Sequence, residues 1–161
     1  MNSASIELAE RFRGEVPELE RAIQRALVSW AQLKKLPQDD AYVDSVALNL
    51  HSFYSGLERL FELTARHVDC VVPSGETWHR DLLQRMLEDL PGVRPALVSL
   101  DNATKLDEFR RFRHLVRHVY TMNLTPDRMA GLISNLPELW PKLRSELLAF
   151  ADFLEELGQI D

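Results

Sequence analysis

One stretch in the last third of the chain carries side chains that could act on a phosphodiester. Arg113, His118 and Tyr120 lie five and two residues apart along the 161-residue sequence. A histidine titrates near neutral pH, so it can take up or release a proton during a reaction. The planar, two-pronged guanidinium of an arginine suits a phosphate group. These residue types together indicate acid–base chemistry on a phosphodiester.

The segment Lys105–Asn123 is expected to form an amphipathic helix that carries these residues. At about 100° per residue, its apolar residues fall within an arc roughly 140° wide, which must face the core. This arc contains Phe109, Phe112, Leu115, Val116, Val119 and Met122. The opposite arc contains Arg110, Arg113, His114, Arg117, His118, Tyr120 and Thr121. The core therefore needs none of the cationic or titratable residues, and we expect them to face solvent or a partner.

This polar face has two interpretations. Charged residues opposite an apolar stripe occur on any surface helix, and Asp107 could pair with Arg111 along it. Spacing alone favours this solvated face. However, the face collects histidines, a tyrosine and several arginines with few carboxylates, which is unfavourable unless anions bind there.

The formal charge of the chain is -6, which is unusual for a protein that binds nucleic acid. The charge is uneven, because residues 101–124 hold five basic and three acidic side chains and so carry +2. The rest of the chain carries -8. A local basic patch on an acidic body fits a protein that binds phosphate at one place.

The spacing of the motif limits what one helix can do. Arg113 and His118 are five residues apart, so they point about 140° from each other around the helix axis. Tyr120 lies only about 20° from the direction of Arg113. One helix could hardly bring both Arg113 and His118 to one phosphate, whereas two copies related by a twofold axis could. The motif therefore predicts a homodimer.

Helical periodicity dominates the rest of the sequence, with no strand signal. We expect an all-α protein, an up-and-down bundle of four to five helices in a single domain spanning residues 1–161. A first helix, regular only from around Pro17, ends at Pro37. A second follows the capping residues Asp39 and Asp40 and packs antiparallel to the first.

Three further helices follow. A short one is expected to be capped by Ser74 and ended by residues 90–92. Thr104 is expected to open the motif helix. The last helix starts at residues 125–127, and Pro137 and Pro141 are expected to kink it or split it in two.

Several classes of protein are disfavoured. Charges interrupt every apolar run before the ~20 residues that a membrane span needs. The first residues are acidic where a secretory signal would be apolar, so we expect a cytoplasmic protein without membrane association. The single cysteine, Cys70, lies in no zinc-like cluster, and we expect no metal and no cofactor.

The motif and its surroundings resemble a known family. Residues 113–120, RHLVRHVY, match the Arg-x4-His-x-Tyr motif of HepT toxins in the HEPN superfamily, with a polar residue, His114, after the arginine. The segments YSGLERLFELTARHVD, PSGETWHRDLLQRM and LTPDRM are also similar to the HepT-like group. The resemblance covers most of residues 42–161, whereas the first helix matches only in character.

The resemblance implies a metal-independent endoribonuclease that works as a homodimer on RNA. His118 would act as general base or acid, and Arg113 would bind the scissile phosphate and offset its charge. The products would be a 2′,3′-cyclic phosphate and a 5′-hydroxyl, so DNA should not be cut. His114, Arg117 and Arg110 would contact RNA or phosphate, although the first two could equally serve only to solubilise the helix.

The resemblance also implies a regulatory partner. HepT toxins are typically paired with a minimal nucleotidyltransferase antitoxin (MntA-like, a type VII-like pair), which transfers AMP to the motif tyrosine, here Tyr120. Phosphate added beside Arg113 and Arg117 would occupy the anion site and repel RNA. The alternative for Tyr120 is an ordinary tyrosine at the core boundary.

Two other functions remain open. The chain could be a non-catalytic HEPN-like module that binds RNA or nucleotides, or a helical module that docks an acidic protein. Elsewhere, a capping or packing role is expected for His79, and structural roles for His51 and His67.

Overall fold

The computed structural model describes residues 2–119 and 124–160, and of His118 and Val119 only the backbone. Within these ranges the chain forms five α-helices and no strand, with one isolated bridge between Leu90 and Arg94, so the all-α prediction is confirmed. A π-helical turn continues the second helix. The elements are α1 (Ser3–Lys35), α2 (Asp40–Thr64), the π-helical turn (Ala65–Asp69), α3 (Trp78–Met86), α4 (Leu100–Val119) and α5 (Asp127–Gln159).

Helix α1 is longer than the sequence predicted. It begins at Ser3, where the Asn2 side chain caps the backbone N–H of Ala4 at 3.1 Å, and it includes Pro17. A start around Pro17 is therefore wrong. Before the proline, Phe12 is fully buried and its ring lies 5.5 Å from that of Phe150 in α5. This packing stabilises the first turns despite the hydrogen bond that the proline removes.

Helices α1 and α2 pack antiparallel, as predicted. The hydroxyls of Ser29 and Ser45 lie 2.7 Å apart near the connection, while Gly56, farther along α2, lies against Leu19, earlier in α1. Asp39 caps α2 by accepting from the N–H of Ala41 at 2.9 Å, so the predicted cap region is confirmed.

Helix α3 is shorter than expected, because it begins later and ends earlier than the sequence predicted. Ser74 does not cap it, because Gly75 follows with a φ of 98° and turns the chain before α3 starts at Trp78. The helix ends at Met86, whose carbonyl accepts from the N–H groups of Leu97 and Val98. That long-range pairing is not visible in local sequence.

Helix α4, which carries the motif, begins one turn earlier than predicted. Ser99 precedes it, and its hydroxyl accepts from the N–H of Asn102 at 3.3 Å. Thr104 is not a cap, since its hydroxyl donates to the carbonyl of Leu100 within the helix.

Helix α5 is continuous through Pro137 and Pro141, so it is not split. Leu136, Leu139 and Leu143 are fully buried around the two prolines. One unbroken apolar face therefore outweighs the two hydrogen bonds that the prolines remove.

An aromatic cluster fixes α4 in the bundle. Phe53 of α2 packs edge-on against Phe109 of α4 and Trp140 of α5, with ring centres 5.3 and 6.0 Å away. Such edge-to-face pairs add to the stabilisation from burial. Phe53 therefore joins the middle of the motif helix to α2, and α2 to α5.

Candidate active site

The apolar side of α4 faces the core. Phe109, Phe112 and Val116 are buried, as predicted, and Leu115 is partly buried. The Val119 side chain and Met122, also predicted to be core, lie outside the described residues.

Arg113 does not face solvent. Its side chain is only 16% exposed, its Nε donates to Oγ of Ser55 at 3.0 Å, and one Nη lies 3.9 Å from Oε1 of Glu58. Ser55 and Glu58 belong to α2, which covers part of the polar side of α4. The expectation that the core needs no cation of this helix is therefore wrong for Arg113.

Arg110 is also largely covered. Its side chain is 18% exposed and pairs with Asp107 at 2.7 Å. Asp107 in addition contacts Arg111 at 3.0 Å, which confirms the predicted pair along the helix. Arg111 itself is exposed.

A buried carboxylate lies behind Arg113. Glu58 is 2% exposed, and its Oε2 lies 2.8 Å from Nδ1 of His79 in α3. The His79 ring also stacks on Trp78, with ring centres 3.6 Å apart. A carboxylate removed from water must be paired or hydrogen-bonded. Glu58 obtains its partners from α3 and α4 and so joins the two helices.

A pocket of about 200 Å³ opens beside these groups, between the start of α3 and the middle of α4. Its lining is strongly basic, with three arginines and two histidines against one glutamate. The lining residues are Glu76, Thr77, His79, Arg80, Arg110, Arg113 and His114. A concave site with this charge attracts anions such as phosphate.

The structure brings only part of the predicted site together. Arg110, Arg113 and His114 share this pocket, whereas Arg117 is exposed and does not line it. The His118 side chain and Tyr120 lie outside the described residues, although the backbone of His118 belongs to α4.

The charges of the motif helix affect the pKa of His51 in α2. Burial lowers the pKa of His51, and the positive charges of Arg113 and Arg117 lower it further. The charges of both arginines therefore act on α2, although only Arg113 of the two lines the pocket. His51 is best suited to remain neutral at this position.

Sequence reasoning missed Ser55 and Glu58, whereas the packing role expected for His79 agrees with its contacts with Glu58 and Trp78. For Glu58 a signal was present, because it lies one helical turn from Tyr54 and Phe61, which are both buried. A glutamate within a buried stripe indicates a paired, buried charge.

Neither a metal-binding cluster nor a membrane-spanning helix occurs in the described part of the chain. No three His, Cys, Asp or Glu side chains there lie close enough to hold a metal ion. None of the helices in that part is long and apolar enough to cross a membrane.

Comparison with known proteins gives one match. The model of a family described as HepT-like protein matches residues 45–154, from the first turns of α2 almost to the end of α5. No curated protein and no solved structure matches the chain. The matched segment includes Glu58, His79 and the whole Arg-x4-His-x-Tyr motif. The chain belongs to the HepT-like family of the HEPN superfamily.

Proposed function

We propose that this protein is the toxin of a type VII-like toxin–antitoxin pair and that it acts in the cytoplasm as a metal-independent endoribonuclease. The observation that carries the proposal is the placement of Arg113. Its guanidinium is anchored to α2 at the edge of a basic pocket, in a helix with the family motif. An anchored guanidinium can bind a phosphate with little loss of side-chain entropy.

The chemistry uses the nucleophile that RNA supplies. The 2′-hydroxyl oxygen attacks the adjacent phosphorus while His118 manages a proton. Arg113 binds the phosphate and stabilises the charge that builds on its non-bridging oxygens. The bond from phosphorus to the 5′-oxygen breaks, and a 2′,3′-cyclic phosphate and a 5′-hydroxyl result.

The active unit is a homodimer. Arg113 and His118 diverge by about 140° around α4, so the arginine of one chain and the histidine of its partner meet across a cleft. Arg110, His114 and Arg117 contact the RNA backbone on either side of the cut. The pocket that Arg110 and His114 share with Arg113 supports this role.

Tyr120 is the regulatory residue. A minimal nucleotidyltransferase antitoxin transfers AMP to its hydroxyl, and the added phosphate neutralises the site by competing with RNA for Arg113 and Arg117. Intact mass after co-expression with such a partner tests this: additions in AMP units that disappear in Tyr120→Phe support it. A wild-type mass unchanged by an active nucleotidyltransferase contradicts it.

Expression in bacteria tests the toxin assignment. Wild-type protein should arrest growth, whereas Arg113→Ala and His118→Ala should not, at equal amounts of soluble protein. Arg144→Ala and His67→Ala are matched controls, because both residues are exposed and lie outside the pocket. Arrest by both motif variants contradicts the site, and purified protein that binds RNA without cutting it favours the non-catalytic alternative.

A further inference from the structure

We propose that His79, held by the buried Glu58, donates the proton to the departing 5′-oxygen in the site that Arg113 forms. This inference rests on the proposed ribonuclease function and assigns the second proton-transfer group of the same reaction. His118 is then the base that takes the proton of the 2′-hydroxyl.

The hydrogen bond with Glu58 fixes the orientation of the His79 ring. In the proposed arrangement Glu58 accepts at the 2.8 Å contact, and Nδ1 of His79 carries the hydrogen. The remaining ring nitrogen, Nε2, is then free to act on a ligand. Packing against Trp78, with ring centres 3.6 Å apart, further restrains the ring. A histidine with one nitrogen bound to a buried carboxylate has the arrangement that orients proton-transfer groups in enzymes.

One carboxylate links His79 to Arg113. Oε2 of Glu58 contacts His79 and Oε1 faces Arg113, and both basic side chains line the same pocket of about 200 Å³. His79 is 24% exposed and Arg113 16% exposed, so each is held by the protein and still open to a ligand. A phosphate bound to Arg113 in a pocket of this size lies within reach of His79.

The surrounding charges favour an anion at this position. Arg80 and Arg110, the latter paired with Asp107, complete the basic lining, and Glu76 is the only acidic residue of the lining in the part of the chain described. Arg80 lies 3.9 Å from Asp81 and is half exposed, so it is not tightly paired. The pocket therefore suits the phosphate of the scissile linkage or of its neighbour.

His79 also bears on the different directions in which Arg113 and His118 point. Arg113 and His118 point about 140° apart on α4, whereas His79 approaches Arg113 from α3 of the same chain. A phosphate on Arg113 thus has one proton-transfer group in its own chain. The partner chain needs to supply only the second.

The proposed step conserves protons. The 2′-oxygen forms a bond to phosphorus and passes its proton to His118, while the bond from phosphorus to the 5′-oxygen breaks. The Nε2 hydrogen of protonated His79 moves to that oxygen, which leaves as a hydroxyl. Exchange with water then restores both histidines.

A substrate with a sulfur leaving atom tests the proposal. Two oligonucleotides are made around a linkage that the wild-type protein cuts in single-stranded RNA, one with a 5′-bridging oxygen and one with a 5′-bridging sulfur. A thiolate leaves without being protonated, so loss of the proton donor should slow only the oxygen substrate. We expect His79→Asn and His79→Gln to cut the oxygen substrate about 100-fold more slowly, the lower range for loss of a general acid. Both should cut the sulfur substrate nearly as fast as wild type.

Companion variants separate this role from packing. His118→Ala should slow both substrates, and Glu58→Gln should slow mainly the oxygen substrate because it loosens the His79 ring. His79→Asn keeps an amide N–H near the position of Nδ1 and so preserves the contact with Glu58. His67→Gln is the matched control, and circular dichroism reports folding for each variant.

The outcomes are distinct. Equal loss on both substrates, or no loss on either, with folded His79 variants overturns the assignment of His79 and leaves the ribonuclease proposal standing. Wild-type protein that cuts no RNA overturns the proposed function, and this inference with it.

Discussion

Nε of Arg113 donates to Oγ of Ser55 at 3.0 Å, and this bond ties the motif helix α4 to α2. Ser55→Ala removes one bond of about 1 kcal/mol, so we expect the free energy of unfolding to fall by about that amount, and kcat/KM for RNA cleavage to fall by up to about fivefold because Arg113 is less well positioned. Arg113→Lys should reduce kcat/KM further, because a lysine ammonium cannot bind Ser55 and a phosphate together as the planar guanidinium does. Ser52→Ala, on the exposed side of α2, is the control. Cleavage by Ser55→Ala at the wild-type rate would show that this bond does not position Arg113.

The lowered pKa of His51 predicts that acid destabilises the fold. Burial and the charges of Arg113 and Arg117 hold this pKa below the ordinary value of 6.5, so the unfolded chain takes up the proton first as pH falls. The stabilisation from neutral His51 is present above that value and is lost as pH falls through it. Urea midpoints of wild type should therefore decrease between about pH 7 and 5, and those of His51→Gln should decrease less. Equal slopes for the two proteins would contradict this account.

Removing one partner of a buried ion pair should greatly reduce the stability of the fold. Arg94 and Asp69 have fully buried side chains, joined by Nε to Oδ1 at 2.6 Å and Nη2 to Oδ2 at 2.9 Å. Arg94→Ala leaves the Asp69 charge with Arg85 alone, so we expect unfolding to cost about 3 kcal/mol less. Arg85 is the more exposed partner of Asp69, so Arg85→Ala should reduce the free energy of unfolding by less than half of the loss expected for Arg94→Ala. Urea denaturation measures both, and equal effects would contradict the larger contribution assigned to the buried Arg94.

A site shared between chains predicts complementation. Arg113→Ala and His118→Ala homodimers should each be inactive, whereas a mixture allowed to exchange subunits should recover part of the activity. Recovery follows because each mixed dimer holds one intact arginine and one intact histidine on different chains. Mixtures that remain as inactive as their components, despite exchange seen by native mass spectrometry, would place the whole site in one chain.

The sequence predicted features that depend on local pattern. The buried positions Phe109, Phe112 and Val116 of α4 and the cap at Asp39 follow from periodicity and residue type, and the structure confirms them. The start of α1 and the unbroken α5 were mispredicted, because contacts such as Phe12 with Phe150 outweigh the local effect of proline. Local signals carry no information about a partner helix far along the chain.

The same limit applies to the site. The motif places Arg113 and His118 on one helix, but which α2 residues meet that helix is set by packing across the bundle. The burial of Arg113 against Ser55 and Glu58 therefore could not be predicted, nor could the contact that brings His79 to the same carboxylate. The glutamate in the buried stripe of α2 was the one usable signal.

RNA cleavage in the presence of EDTA tests the central claim most directly. Purified wild-type protein is incubated with single-stranded RNA and with DNA of the same sequence, and the product ends are identified by mass spectrometry. We predict RNA fragments with 2′,3′-cyclic phosphate and 5′-hydroxyl ends, uncut DNA, and no cleavage by folded Arg113→Ala or His118→Ala protein. Absence of cleavage by wild type, cleavage that EDTA abolishes, or full activity in both variants would contradict the account.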